Sequence, residues 1–294
     1  MTIQGTKKVL VAGICEHLGG AFVPKLQSEG HGVRVLTDHP DKHKGLATTG
    51  VEVAQGSACS AQDLLKALDG CNAACLMGVP HEEEPAREAE CGKATIDACR
   101  TKGIAHFVYV SVCCADKKTG VPHFDAKCEA EEYLKRSGLS YTILRPTWYM
   151  ENFVSKRFLP SIEKGVLCTP LRPERTLELI SAADVGRVVA EACTVPDKFN
   201  GREIDLAADR LTMEEIAQEI SRVMPGKVAY DQMSESDAAR DMSPHMVSMF
   251  QWLDRHGYTA DINQARELLH RYGIALTSFR DFLDRCKGEI RKAA

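Results

Sequence analysis

The sequence lacks a long apolar run and an excess of basic residues. Its longest apolar stretches, such as Val9 to Ala12 and Phe107 to Val112, fall far short of the ~20 apolar residues needed to span a membrane. Lysine and arginine total 37 against 41 aspartates and glutamates, for a formal net charge of -4 over 294 residues. Without a strong positive field, binding of nucleic acid through its phosphates is not the expected activity. We expect no membrane contact and no direct nucleic-acid binding.

An apolar export signal is also missing from the first residues, so the sequence predicts a cytoplasmic protein. The twelve cysteines include no C-x-x-C pair, which argues against a zinc ribbon or a thioredoxin-type dithiol and predicts no metal site. All are expected to be reduced, and most to be buried as small apolar side chains. Cys15, near a helix N-terminus, and the vicinal pair Cys113 and Cys114 are predicted to be the fast-reacting thiols.

The first half alternates short, nearly continuous apolar runs with helical stretches, which predicts βαβ units around a parallel sheet. The predicted strands are Lys8–Ala12, Val33–Thr37, Val51–Ala54, Ala73–Val79, His106–Val112 and Tyr141–Leu144. The predicted helices are Gly19–Glu29, Ala61–Asp69, Pro85–Thr101 and Phe124–Ser137. This pattern is typical of a doubly wound α/β domain.

From about Trp148 onwards helical patterns dominate. They predict helices at Tyr149–Lys164, Ala182–Cys193, Thr212–Val223, Ser236–His256, Ile262–Tyr272 and Thr277–Lys287, the third opened by a Thr212–Glu215 capping box. Two extended pieces, Arg175–Leu179 and Glu203–Leu206, are candidates to return to the sheet. The predicted organisation is an α/β domain of residues 1–147, rejoined by 181–208, and a smaller, mostly helical C-terminal lobe of 148–180 and 209–294. A cleft between the two lobes is the expected ligand site.

A glycine turn follows the first predicted strand. Gly13 and Gly19 mark its two ends, where glycine lets a pyrophosphate approach the backbone and the next helix N-terminus. Glu16 stands midway, where a third glycine would be wanted. Asp38 follows the second strand, and an acid there can accept the ribose hydroxyls of adenosine while repelling a 2′-phosphate. The alternatives are an ordinary βα turn and an ordinary turn aspartate.

A family resemblance appears in segments spread over nearly the whole chain. They are Phe107–Ser111, Gly120–Lys127, Glu131–Leu134, Tyr141–Pro146, Met150–Phe153, Ala183–Gly186, Leu206–Thr212 and Gly257–Ile262. The combination resembles the NmrA-like family, a branch of the atypical short-chain dehydrogenase/reductases. The resemblance implies a Rossmann domain, a smaller C-terminal lobe and a dinucleotide at the glycine turn. Members include redox-sensing transcriptional co-regulators, quinone and isoflavone-type reductases, and biosynthetic enzymes.

The segment that matches the reductase motif departs from it. Active short-chain reductases carry Tyr-x-x-x-Lys, in which the lysine lowers the pKa of the proton-donating phenol. Here the segment keeps Lys127 but places His123 at the tyrosine position. The resemblance makes Lys127, His123 and Ser111 the candidate catalytic residues. An exposed helix lysine and a loop histidine are the alternatives.

The nucleotide contacts implied by the family are also altered. Cys15 and Glu16 replace the threonine and central glycine of the usual turn, and Asp38 stands where the family often has an arginine for a 2′-phosphate. Together with Gly13 and Gly19 these are the candidate cofactor-binding residues. The changes predict weak or lost NAD(P) binding, with NAD favoured over NADP.

Two classes of function follow from this pattern. The first is a redox or metabolite sensor or regulator, without standard reductase chemistry, that binds a small ligand or a protein partner. The second is an NAD(P)H-dependent oxidoreductase of the quinone or isoflavone-reductase type, or a biosynthetic enzyme, using Lys127. Trp148, Tyr149, Phe153 and Met246 are the expected pocket residues for an apolar or aromatic small molecule. The sequence leaves the oligomeric state open.

Overall fold

The computed structural model of the chain describes residues 7–14, 16–78 and 85–293, and for Glu16, His17, Pro85 and 288–293 only the backbone. The fold consists of two compact units. Unit 1 comprises residues 1–145 and 183–204, and unit 2 comprises 146–182 and 205–294. Among the described residues, no helix is both long enough and apolar enough to cross a bilayer.

The strands, in chain order, are β1 Lys8–Ala12, β2 Gly32–Thr37, β3 Glu52–Gln55, β4 Ala73–Met77, β5 His106–Val110, β6 Tyr141–Pro146, β7 Trp148–Tyr149, β8 Val166–Thr169, β9 Thr176–Ile180, β10 Arg202–Leu206, β11 Asp209–Thr212 and β12 Ala229–Gln232. The α-helices are α1 Glu16–Ser28, α2 Lys44–Ala47, α3 Ala61–Ala67, α4 Pro85–Lys102, α5 Pro122–Lys135, α6 Leu159–Glu163, α7 Ala182–Thr194, α8 Pro196–Phe199, α9 Met213–Ser221, α10 Glu235–Asp241, α11 Pro244–His256, α12 Ile262–His270 and α13 Phe279–Ala293. Short 3-10 turns lie at Pro40–His43, Ala115–Lys117 and Met150–Val154.

Unit 1 is built on a seven-stranded sheet in the order β10-β6-β5-β4-β1-β2-β3. Parallel pairing joins β6, β5, β4, β1, β2 and β3 in turn. The chain reverses its direction of winding between β1 and β4, the position where doubly wound sheets bind ligands at the carboxyl ends of their strands. The fold is therefore of the Rossmann type, as the sequence predicts.

The strands form because apolar side chains cover both of their faces, and β1, β4 and β5 are almost entirely buried. Leu10, Leu76 and Tyr109 share one core cluster with residues of α3, α4 and α5. Close helix packing depends on Gly186 of α7, where a Cβ atom would lie 2.7 Å from the carbonyl oxygen of Phe22 in α1.

Unit 2 holds a three-stranded sheet in the order β11-β9-β7 and a parallel pair of β8 and β12. The capping box predicted at Thr212 and Glu215 is present at the start of α9. Helices α9 to α13 make the C-terminal part of the chain mostly helical, as expected.

Two long helices predicted in unit 2 are wrong. The stretch Tyr149–Lys164 contains the short β7, a 3-10 turn and α6, whose second residue is Pro160. The stretch Ser236–His256 is divided into α10 and α11, because Pro244 cannot continue a helix and instead opens α11 behind the capping side chain of Ser243. Of the two extended pieces, Glu203–Leu206 lies in the large sheet as β10, whereas Arg175–Leu179 corresponds to β9 in unit 2.

The expectation that all cysteines are reduced is also corrected. Cys59, in the loop before α3, and Cys91, in α4, form a disulfide. The two cysteines are 32 residues apart in sequence, and no local spacing motif marks them as partners. The bond ties the loop after β3 to the helix after β4.

Candidate functional site

The carboxyl ends of β4 and β5 lie side by side in unit 1. Met77 pairs with Val110 in the parallel register, so Gly78 and Ser111 leave the sheet as neighbours. The backbone amide of Gly78 donates to the carbonyl of Val110 at 3.2 Å, and the amide of Ser111 donates to Leu144 at 2.7 Å. Hydrogen bonds therefore fix the backbone at this edge of the sheet.

Lys127 reaches this edge from α5. Its ammonium group donates to the Glu88 carboxylate, which comes from the first turn of α4. The Glu88 side chain is 3% exposed and that of Lys127 is 12% exposed. A Cβ atom on Gly78 would collide with both the Lys127 ammonium and the Glu88 carboxylate, so glycine makes room for the ion pair against the strand end. The lysine expected at the site is therefore buried in an ion pair rather than exposed on its helix.

Two buried hydroxyl groups belong to the same strand end. The Tyr109 hydroxyl and the Ser111 Oγ are buried and have no hydrogen-bond partner within residues 7–14, 16–78 and 85–293. Tyr109 lies in β5, and Ser111 directly follows the last residue of that strand. Burial, followed by the nearby carboxylates of Glu88 and Glu131, raises the pKa of Tyr109 well above its usual value. We call Glu88, Tyr109, Ser111 and Lys127 the Lys127 cluster.

His123 lies one turn before Lys127, in the first turn of α5. Residues four apart share a helix face, so His123 occupies the place on α5 that the reductase motif gives to tyrosine. The ring is half-buried and packs edge-to-face against Phe124, with ring centroids 4.8 Å apart.

A second buried ion-pair group fixes α5 one turn after Lys127. The Arg145 guanidinium donates to both carboxylate oxygens of Glu131 and also to Glu203. Burial lowers the pKa of Arg145, but the hydrogen bonds and charge of Glu131 outweigh that effect and raise it above its usual value. Because the bonds are bidentate, the orientation of α5 against the sheet is well defined.

The glycine turn has a backbone geometry that favours glycine. Gly13 adopts a φ of 73°, in the left-handed region, and α1 begins at Glu16. Gly19 is buried, with the side chain of Ile14 3.4 Å from where its Cβ would stand. Cys15 lies outside the described residues, and only the backbone of Glu16 is described.

Asp38 follows β2 at the carboxyl edge of the same sheet. Its side chain is 70% exposed, and the His39 Nε2 lies 3.9 Å from its carboxylate. The carboxylate is therefore open to solvent and available to a ligand at this edge. The structure thus places Gly13, Asp38 and Ser111 directly after strands of one sheet. Gly19 lies in the first turns of α1, and the Lys127 ammonium reaches the end of β4 at Gly78.

Comparison with known proteins now assigns the chain to a family. The model of the NmrA-like family matches residues 5–283. The chain belongs to the NmrA-like family. An NmrA-like family domain-containing protein of Dictyostelium discoideum is 25% identical over 297 residues, covering 95% of this chain and 97% of its own. Quinone oxidoreductase 2 of Escherichia coli is 27% identical over 213 residues, covering 69% of each protein.

The solved structure of NmrA, a negative transcriptional regulator in complex with NADP, superposes with a TM-score of 0.77. It is 18% identical and covers 99% of this chain and 98% of its own, so the likeness establishes the fold. Similar proteins of this NmrA-like chain thus include one named as an oxidoreductase and one described as a transcriptional regulator.

The vicinal cysteines are less accessible than expected. Cys113 and Cys114 are both fully buried, with 3.6 Å between their sulfur atoms, and Cys114 has a φ of 71°. Burial at this level blocks reagents in the native state, so the expectation of fast labelling at these two thiols is wrong for the folded structure.

The four predicted pocket residues lie in unit 2 with different surroundings. Trp148 and Phe153 are buried in an aromatic core, where their rings contact Phe158, 6.1 and 6.0 Å away between centroids. Their side chains therefore pack the interior of unit 2. Tyr149 and Met246 are half-buried.

Sequence reasoning missed Glu88. Together with Cys91 and Thr95 it forms a buried line along α4 at the spacing of one helix face. A carboxylate in line with buried positions is unusual because burying an unpaired charge is costly, and it indicates a buried cationic partner.

Proposed function

We propose that this NmrA-like protein is a redox or metabolite sensor or regulator that responds to a bound nicotinamide dinucleotide without standard reductase chemistry. The single observation that carries the proposal is the composition of the Lys127 cluster. Its lysine is present, but no phenol is available to transfer a proton to a ligand. His123 takes the tyrosine position, and the Tyr109 phenol is sealed within the core with a raised pKa.

The Rossmann sheet and the left-handed turn at Gly13 support nucleotide binding at the carboxyl ends of β1 and β2. NmrA itself is described in complex with NADP, and also with NAD. The exposed carboxylate of Asp38 supports a preference of this chain for NAD, because it would repel a 2′-phosphate. Glu16, which stands in the sequence where the family has the central glycine of the turn, supports weak affinity, because an acid in this turn would repel a pyrophosphate.

Calorimetric titration of NAD and NADP into the wild type and Asp38→Asn tests the nucleotide part of the proposal. Weak NAD binding and weaker NADP binding are expected, with Asp38→Asn reducing the difference. Asp41→Asn is the matched control, because Asp41 is an exposed acid in the following 3-10 turn. Tight NADP binding to the wild type would contradict the proposed preference.

A second candidate is an oxidoreductase in which Lys127 itself polarises a ligand oxygen. It is favoured by the ammonium group, which donates to Glu88 and leaves two N–H donors without a partner in the part of the chain that the structure describes. Oxidation of NADH or NADPH by a quinone or an enone, lost in Lys127→Ala but retained in Lys66→Ala, would establish this function. Lys66 is an exposed helix lysine on α3 and controls for loss of charge.

A further inference from the structure

The Lys127 cluster carries no net charge. Glu88 neutralises Lys127, and both side chains are almost wholly buried. Glu131, the buried acid one turn after Lys127 on α5, is neutralised in turn by Arg145. Tyr109, in β5, and Ser111, just after it, are neutral. A group that binds next to the ammonium thus meets a cation whose charge is already balanced.

The cluster nevertheless contains polar groups whose hydrogen bonds are not all made. Two donors of the Lys127 ammonium and the buried Ser111 hydroxyl lack partners among the described residues. Buried polar groups are normally satisfied, so these groups indicate that an oxygen acceptor binds beside Gly78. An anion there would lose its hydration shell without a compensating net positive charge, whereas a neutral oxygen loses much less.

We infer that Glu88 determines ligand specificity: it restricts Lys127 to donating hydrogen bonds to neutral oxygen acceptors, such as a carbonyl, amide or hydroxyl, and excludes carboxylates. This inference rests on the proposed function only in that Lys127 faces the ligand site. It makes no use of dinucleotide affinity or turnover. Glu88 acts through Lys127 and is therefore a positioning and specificity-determining residue rather than a catalytic one.

Benzamide and benzoate are matched probes, because they share a ring and differ in charge at neutral pH. Their binding can be measured by ligand-observed NMR with the full chain, using Lys127→Met to identify the signal that belongs to this cluster. The wild type is expected to bind benzamide at least tenfold more tightly than benzoate. Glu88→Gln, which leaves the lysine charge unbalanced, is expected to reverse that preference.

Glu129→Gln is the control, since it removes an exposed acid from α5 and should leave the benzamide preference unchanged. Lys127→Met removes the ammonium donor and should abolish the cluster signal of both probes. If Glu88→Gln does not fold, as judged by circular dichroism, the wild-type preference for benzamide and its loss in Lys127→Met decide the test.

An unchanged preference in folded Glu88→Gln, equal binding of both probes by the wild type, or no binding of either would overturn the inference. The titration of NAD and NADP tests the proposed function independently of the two benzene probes. A chain that fails to bind NAD can still show the benzamide preference, and a chain that binds NAD can lack it. Failure of the inference is thus distinguishable from failure of the proposed function.

Discussion

At the scale of single residues, the buried carboxylates of Glu88 and Glu131 are both held in ion pairs. Glu131 is 1% exposed and binds Arg145, which is 7% exposed, whereas Glu129 on the same helix is exposed and binds Lys93 at the surface. Breaking a buried pair leaves one charge without a partner or water, while breaking a surface pair costs little. Glu131 is therefore expected to contribute more to the free energy of unfolding than Glu129.

Replacement of Glu131 by glutamine is expected to lower the free energy of unfolding by about 3 kcal/mol. Glu129→Gln, two residues earlier on α5, is expected to lower it by less than about 1 kcal/mol. Urea denaturation of both variants measures the difference. Equal losses would mean that the Arg145 interaction contributes no more than a surface pair.

The charge at Glu16 is expected to limit dinucleotide affinity. Two unit charges ~5 Å apart repel by about 3 kcal/mol at an effective dielectric of 20. Even half of that weakens binding about tenfold, so Glu16→Gly should strengthen NAD binding by roughly that factor in a calorimetric titration. Glu29→Gly, beyond the far end of α1, serves as the control. An unchanged affinity in Glu16→Gly would show that this carboxylate does not face the pyrophosphate position.

At the scale of elements, helix and strand positions in unit 1 follow from apolar patterning, whereas their cross-links do not. Strands β1, β4 and β5 were predictable because each is a short run of buried, mostly apolar residues. The Glu88–Lys127 pair and the Cys59–Cys91 bond join residues 39 and 32 positions apart. No local pattern specifies such partners; the packing of neighbouring elements brings them together.

Loss of the Cys59–Cys91 bond is expected to destabilise the protein. A cross-link that closes a loop of this length restricts the unfolded chain and contributes roughly 3–4 kcal/mol. Cys59→Ser should therefore lower the melting temperature in the absence of reductant, and reductant should do the same to the wild type. Cys128→Ser, at a half-buried free thiol on α5, is the control.

Alkylation of the denatured, unreduced protein followed by peptide mass spectrometry tests the bond directly. Cys59 and Cys91 are expected to remain unmodified while the free thiols are labelled. Full labelling of both would contradict the disulfide.

At the scale of the whole molecule, the Rossmann fold and the helical C-terminal part were predictable from the alternation of strands and helices and from the family resemblance. The breaks before Pro160 and Pro244 were missed because apolar spacing continues across them, although proline cannot continue a helix and stands in the first turn of a new one at each position. The Lys127 position on α5 was predictable, but its buried carboxylate partner was not.

Acid is expected to destabilise the protein through His106. Burial lowers the pKa of this histidine to about 4, and its ring nitrogens lie 2.8 and 2.9 Å from the Ser140 and Thr142 hydroxyls. The unfolded chain takes up a proton near pH 6.5, but the folded one does so only near pH 4. Stability is therefore complete above about pH 6.5 and falls by about 3 kcal/mol as the pH drops towards 4.

Urea denaturation across this pH range checks the effect. His106→Gln should reduce the loss of stability between pH 6.5 and 4. His39→Gln, at an exposed histidine, should leave that loss unchanged. A wild-type stability that stays constant between pH 6.5 and 4 would show that burial does not hold His106 neutral.

This NmrA-like protein has the Rossmann fold, and we propose that it lacks the proton donor for carbonyl reduction. Oxidation of NADH and NADPH by the wild type in the presence of simple aldehydes and ketones tests this proposal. No rate above the uncatalysed background is expected with either cofactor. Robust oxidation that disappears in Lys127→Ala and persists in Lys66→Ala would contradict it and establish the protein as a reductase.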